Sequence, residues 1–227
     1  IGKMSGLKVI TAPSVQPVSR IEAREHLRLD DDVDDSQIRS FIKAATDWAE
    51  NYTGRFFISR TCQMMLDGAS QIDAPLSEGQ STGHYSRPIS NYIEIAAAPV
   101  TVVSSIKYYA DDDTQSVWST SNYYVDTFSD QAKIVLRSGG TYPTDLRAAN
   151  GLEINFTAGY GETSSSVPEV IRLAILQYIT FLYEHRGDFE RFPAPTPPAI
   201  LRTLLNPYRI IRFGVSPYSS VINSGSI

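Results

Sequence analysis

The sequence predicts an α+β fold, a helical core formed by N- and C-terminal helices with a mainly antiparallel β insertion between them. Three observations carry this. Two stretches, one ending near residue 57 and one beginning near residue 166, repeat apolar residues at the 3.6-residue helical period. The stretch between them alternates at a period near two. No helical pattern interrupts its strands, which argues against a parallel nucleotide-binding sheet.

Taken in order, the first helix opens at Ser19, where Glu22 three residues on gives a capping-box spacing, and extends to about Leu29 with Ile21 and Leu27 as its main apolar residues. Residues Asp30 to Asp35 then supply five aspartates and one valine. A long helix follows, with Ile38, Phe41, Ile42, Ala45, Trp48, Ala49 and Tyr52 in one stripe. Asp34 or Asp35 is placed to cap its N-terminus, and Gly54 stands where a left-handed C-terminal residue is wanted. Strands are expected at Thr61–Leu66, Tyr92–Ile95, Val102–Ala110, Ser116–Ser119, Tyr123–Asp126, Ala132–Leu136 and Leu152–Ala158, with a turn at Asp111–Thr114 and a polar loop from Asp67 to about Arg87. In the last strand Leu152, Ile154 and Phe156 alternate with Glu153, Asn155 and Thr157.

The second helical stripe begins after Pro168, which suits a first turn because it leaves no N–H unpaired, and runs to about His185. Gly187 is placed to close it. Two amphipathic helices flanking the insertion are expected to pack on each other, so that the insertion leaves and returns at neighbouring points. Trp48 and Phe41 are expected to be buried in that seam. Phe189 to Pro198, with four prolines, reads as a stiff linker, Ala199–Leu205 as a short helix, and the tail after Phe213 as flexible. The organisation is therefore residues 17–57 and 166–213 as helical core, 58–165 as inserted β domain and 214–227 as tail.

At 227 residues with 42% hydrophobic content the chain can bury a core, and a net charge of −5 argues against a protein that grips nucleic acid with a basic face. The single cysteine, Cys62, lies in a strand and reads as a small buried residue. No apolar run is long enough for a membrane span, so no membrane partner is expected. Glu22 and His26 share a helix face but lack further metal ligands. No nucleophile elbow, zinc-protease motif or phosphate loop is present. The Arg186-Gly187-Asp188 tripeptide coincides with a helix end, where both Arg and Gly have structural uses. No catalytic residue, cofactor or metal is assigned.

The order Pro17-Val18-Ser19, Glu22-Ala23, His26-Leu27-Arg28, an Asp-rich break and Tyr52-Thr53-Gly54-Arg55 resembles the head-to-tail connector (portal adaptor) family of tailed bacteriophages and gene transfer agents. Gly159-Tyr160-Gly161, Tyr183-Glu184-His185-Arg186 and Leu204-Leu205-Asn206-Pro207-Tyr208-Arg209 continue the likeness to about Phe213. The resemblance implies a structural protein of the virion, assembled in the host cytoplasm. It would form a twelvefold ring under the portal protein, extend the DNA channel and support the stopper or tail. Genome DNA would pass without sequence-specific binding.

On that reading Arg202, Tyr208, Arg209, Ile210, Ile211, Arg212 and Phe213 form a portal-docking segment ordered on binding, and Asp30, Asp31, Asp32, Asp34 and Asp35 line the channel with charge that repels phosphate. A second class, an enzyme or carbohydrate-binding module with its site in the β insertion, rests on the thirteen tyrosines and nine phenylalanines.

Overall fold

The computed structural model describes residues 6–29, 34–67, 92–129, 131–186 and 197–210. The element order is β1 (Leu7–Thr11), α1 (Arg20–Leu27), α2 (Asp35–Thr53), β2 (Arg60–Leu66), β3 (Tyr92–Glu94), β4 (Val100–Tyr109), β5 (Gln115–Val117), β6 (Tyr123–Asp126), β7 (Lys133–Leu136), β8 (Leu152–Ala158), α3 (Glu169–Glu184) and α4 (Ala199–Leu205), the last running into a 3-10 turn at Asn206–Tyr208. The fold is α+β, and every pairing between these strands is antiparallel. The Asp67–Arg87 loop beyond Asp67, Gly187 and most of the Pro-rich linker lie outside the described residues.

Local chemistry explains the helix ends. The Ser19 side chain accepts from the Glu22 backbone N–H while the Glu22 carboxylate accepts from the Ser19 N–H at 2.8 Å, so the predicted capping box is present in full. Gly54 takes φ 72° and closes α2 by donating to the Glu50 carbonyl at 2.8 Å. Asp34 is the N-cap of α2 by position but makes no capping bond, because its carboxylate is drawn across to α3. Ile21 is also not a core residue. It is 63% exposed, and Ala23 is the buried residue of α1.

The strands form two sheets, one ordered β1-β2-β8-β4-β5 and one ordered β3-β7-β6. Their facing side chains, among them Cys62, Met64, Ile106, Ile134, Leu152, Ile154 and Phe156, make one apolar core. The alternation read in β8 holds for its inner face, where Leu152, Ile154, Phe156 and Ala158 are fully buried. Its outer face is less open than alternation implies: Glu153 is buried too, covered by its own hydrogen-bond partners. The strand β1 was not foreseen from sequence. It is short, four of its five residues are exposed, and it adds to the edge of the sheet by pairing with β2.

A second core belongs to the helices. Ile38, Ile42, Ala45 and Ala49 of α2 meet Ile171, Ala174, Ile175 and Ile179 of α3, with Val18, Ala23, Phe57 and Leu205 around them. Phe41 and Trp48 are only half-buried, which corrects the expectation that they fill the seam. Trp48 instead stacks on Tyr52 at 5.5 Å and packs against Tyr178 at 4.8 Å, so the aromatics edge the seam and the aliphatic residues fill it.

The chain does leave and return at neighbouring points. Tyr160 N–H donates to the Phe57 carbonyl at 3.0 Å, Ser59 N–H to Gly161 at 2.8 Å and Phe56 N–H to Ala98 at 2.8 Å.

Candidate interaction sites

Three polar constellations link parts of the chain that are far apart in sequence. The first joins the two layers. Glu50, near the end of α2, is buried, with its carboxylate accepting from the Phe57 N–H at 2.9 Å and from both terminal nitrogens of Arg60 at 2.5 and 3.1 Å. The Arg60 guanidinium also lies 4.5 Å over the Phe56 ring. Burial pushes the Glu50 carboxyl above its ordinary pKa, against the opposing pull of Arg60 and the Phe57 N–H. The pair fixes the corner where helix becomes strand. Sequence reading missed it because Glu50 sits on a helix with no local sign that its acid is buried.

The second constellation gathers two of the motifs that carry the family resemblance. Tyr52 donates to Asn206 Oδ1 at 2.6 Å, Arg55 Nε donates to the Tyr208 carbonyl at 2.6 Å, and Ile210 N–H donates to the Thr53 carbonyl at 2.9 Å. The Arg209 guanidinium lies 5.5 Å over the Tyr52 ring. A Cβ at Gly54 would stand 3.7 Å from Ile210, within ordinary contact. Tyr52-Thr53-Gly54-Arg55 is thus a seat for Asn206–Ile210. These five residues pack back on α2 and are not free to order only on binding, a correction to the expectation for this segment. Of the named docking residues, Arg202 and Arg209 are exposed, and Tyr208 and Ile210 are half-buried. Ile211, Arg212 and Phe213 lie outside the described residues.

The third constellation concerns the acidic break. Asp35 pairs with Arg20 and, at 4.0 Å, with Arg24 of α1. Asp34 accepts from the Tyr183 hydroxyl at 2.7 Å and lies 3.7 Å from Arg186. Both carboxylates therefore tie the start of α2 to its neighbours. Asp30, Asp31 and Asp32 lie outside the described residues. On the other side of α1, Arg172 reaches Glu22 and Glu169. Burial alone would raise the Glu22 carboxyl, but the Ser19 N–H and hydroxyl and the Arg172 charge outweigh it and hold it below its ordinary value.

Other candidates resolve into structural roles. Cys62 is fully buried, and burial pushes its thiol up to about 11, far from a thiolate at neutral pH. Glu22 and His26 bring no further ligand, and no cluster able to hold a metal occurs among the described residues. Glu153 accepts from Tyr109 at 2.6 Å and Asn155 at 2.7 Å, with Lys107 at 3.6 Å, a closed network on the sheet's outer face. The exposed Tyr92 and Tyr124 are each covered by a cation, Lys133 at 5.1 Å and Arg137 at 5.8 Å, so neither is a bare ring for sugar stacking.

A family model described as phage gp6-like head-tail connector protein matches residues 21–109. No curated protein matches the chain. Among solved structures, a chain in the neck of an empty gene transfer agent particle computed with C6 symmetry aligns with TM-score 0.68 at 21% identity, covering 92% of this chain and 98% of the other. A chain from the virion of a native gene transfer agent particle aligns with TM-score 0.68 at 20% identity, and one from a native neck computed with C12 symmetry aligns at 0.65 and 19%, each with the same coverage. The family and the particles matched are structural, not enzymatic. The likeness to head-tail connector proteins read from the motifs therefore holds at two levels, in the sequence of residues 21–109 and in the fold of nearly the whole chain.

Proposed function

We propose that this chain is the ring-forming adaptor of a phage-like particle neck, with twelve copies seated under the portal, surrounding the channel through which DNA passes and offering the opposite side to a stopper or tail. One observation carries the reading: the fold aligns over 92% of the chain with a protein of a neck computed with C12 symmetry, while the family model matches independently by sequence. Residues 17–57 and 166–213 form the ring core, and the β domain of residues 58–165 stands off it.

The portal contact belongs to the C-terminal segment. Arg202 and Arg209 present positive charge on a chain of net −5, and the seat on Tyr52–Arg55 aims whatever follows Ile210 away from the end of α2. Ile211, Arg212 and Phe213 are the anchors on this reading, and Tyr208 is a hinge residue held by the core. Asp30, Asp31 and Asp32 face the channel, while Asp34 and Asp35 hold the loop's exit in place.

Electron cryomicroscopy of the chain mixed with its portal tests the reading. Twelvefold density beneath the portal is expected, with residues after Ile210 reaching into it. Density of another symmetry, or a chain that never co-migrates with the portal, rejects it.

A further inference from the structure

We infer that the ring contact is made by the outer faces of α2 and α3, the back of α2 in one copy lying on the back of α3 in a second copy of this chain. The inference rests on the ring reading above and adds the surface that builds it. The helices α2 and α3 turn their buried stripes toward each other, so their exposed faces point in opposite directions. A closed ring needs such a pair, two different surfaces on opposite sides of one subunit.

The two faces differ in chemistry in a complementary way. On α3, Val170 and Leu173 are 38% and 42% exposed on a helix already apolar on its inner side, and they are flanked by the exposed acids Glu169 and Glu184. On α2 the exposed side carries Arg39 and Lys43 beside the short side chains of Ser40 and Ala44, with Asp47 the one acid among them. The helices run antiparallel, since Asp34 at the start of α2 meets Tyr183 near the end of α3. Rotation by one ring step keeps α2 of the next copy close to antiparallel to this α3. The basic half of α2 then faces Glu184, and Leu173 meets the short residues near Ala44. An apolar centre with charged pairs at its rim is the composition of a specific protein interface.

Cross-linking gives a direct test on the full chain. Ala44 and Leu173 sit on opposite faces of one copy, so a link between cysteines placed there joins two copies. The native Cys62 is fully buried and does not compete. In the presence of the portal, the chain carrying both A44C and L173C should give a ladder of oligomers with a short bismaleimide, whereas A44C alone and L173C alone should stop at the monomer. Leu173→Glu, at an exposed site, should keep the melting temperature but raise the concentration for half-assembly by about tenfold or more. Lys43→Glu should weaken assembly, and adding Glu184→Lys should restore it.

If rings form but the double-cysteine chain gives no ladder and L173E assembles like the parent, this contact is overturned and the ring stands. If neither the parent chain nor any variant forms a ring with the portal, both readings fall together.

Discussion

At the scale of single residues, Gly159 is the position with least latitude. It holds φ 137°, and a Cβ there would stand 2.4 Å from the Ser59 backbone nitrogen, in the crossing where the β layer returns to the helices. Gly159→Ala adds backbone strain to a collision with main chain that no rotamer relieves. It should lower stability by about 3 kcal/mol or more in a denaturant titration. Acidic residues give a pH signature. Glu22 has a depressed pKa in the fold, so its stabilisation is present above about 4.5 and is lost as pH falls below it. The raised Glu50 acts the other way, stabilising most fully below 4.5 and losing that contribution as pH rises through its folded value. Glu22→Gln should therefore flatten the acid limb of the stability profile, and Glu50→Gln should remove a decline on its neutral side. Melting curves from pH 3 to 7 distinguish the two.

At the scale of elements, the α2–α3 seam depends on aliphatic packing, and the half-buried rings edge it. Ile42→Ala should cost about 2–5 kcal/mol. Trp48→Ala should cost less, since its ring keeps one side in solvent. Equal losses at both positions, measured by urea unfolding, would contradict this order. The seat at the end of α2 makes a second prediction. Arg55→Ala leaves the Tyr208 carbonyl without its donor and should cost about 1–3 kcal/mol, while Tyr52→Phe removes only a hydroxyl partner of Asn206 and should cost about 1 kcal/mol. Truncation intended to separate docking from folding should therefore be made after Ile210, because a cut before Asn206 also removes contacts that hold the helical core.

At the scale of the assembly, charge opposes what the interface favours. Twelve copies at −5 carry 12 × −5 = −60 in a ring of the symmetry seen in the native neck. Repulsion between copies acts over distances that about 0.1 M salt already screens, whereas rim pairs such as Lys43–Glu184 act at contact and are screened less. Moderate salt should therefore promote self-association. Light scattering that found stable rings at low salt, dissolving as salt rises, would contradict this balance.

Much of this protein is legible in its residues because the signals are local. The stripes of α2 and α3, the capping box at Ser19, the left-handed Gly54 and the alternation of β8 each depend on neighbours a few positions apart, and the sequence determined them along with the α+β class. The motifs that carry the family resemblance were equally readable in order and spacing. Only tertiary structure decided what those motifs do. Tyr52 and Arg55 find Asn206 and Tyr208 across separations of 154 and 153 residues, and no local pattern records such a contact. It likewise decided that Asp34 bonds to α3 and leaves its own helix uncapped, that β1 joins a sheet edge, and that Glu50 is a buried acid. In each case the free energy comes from a partner that folding brings close, so the residue looks ordinary until the partner is in place.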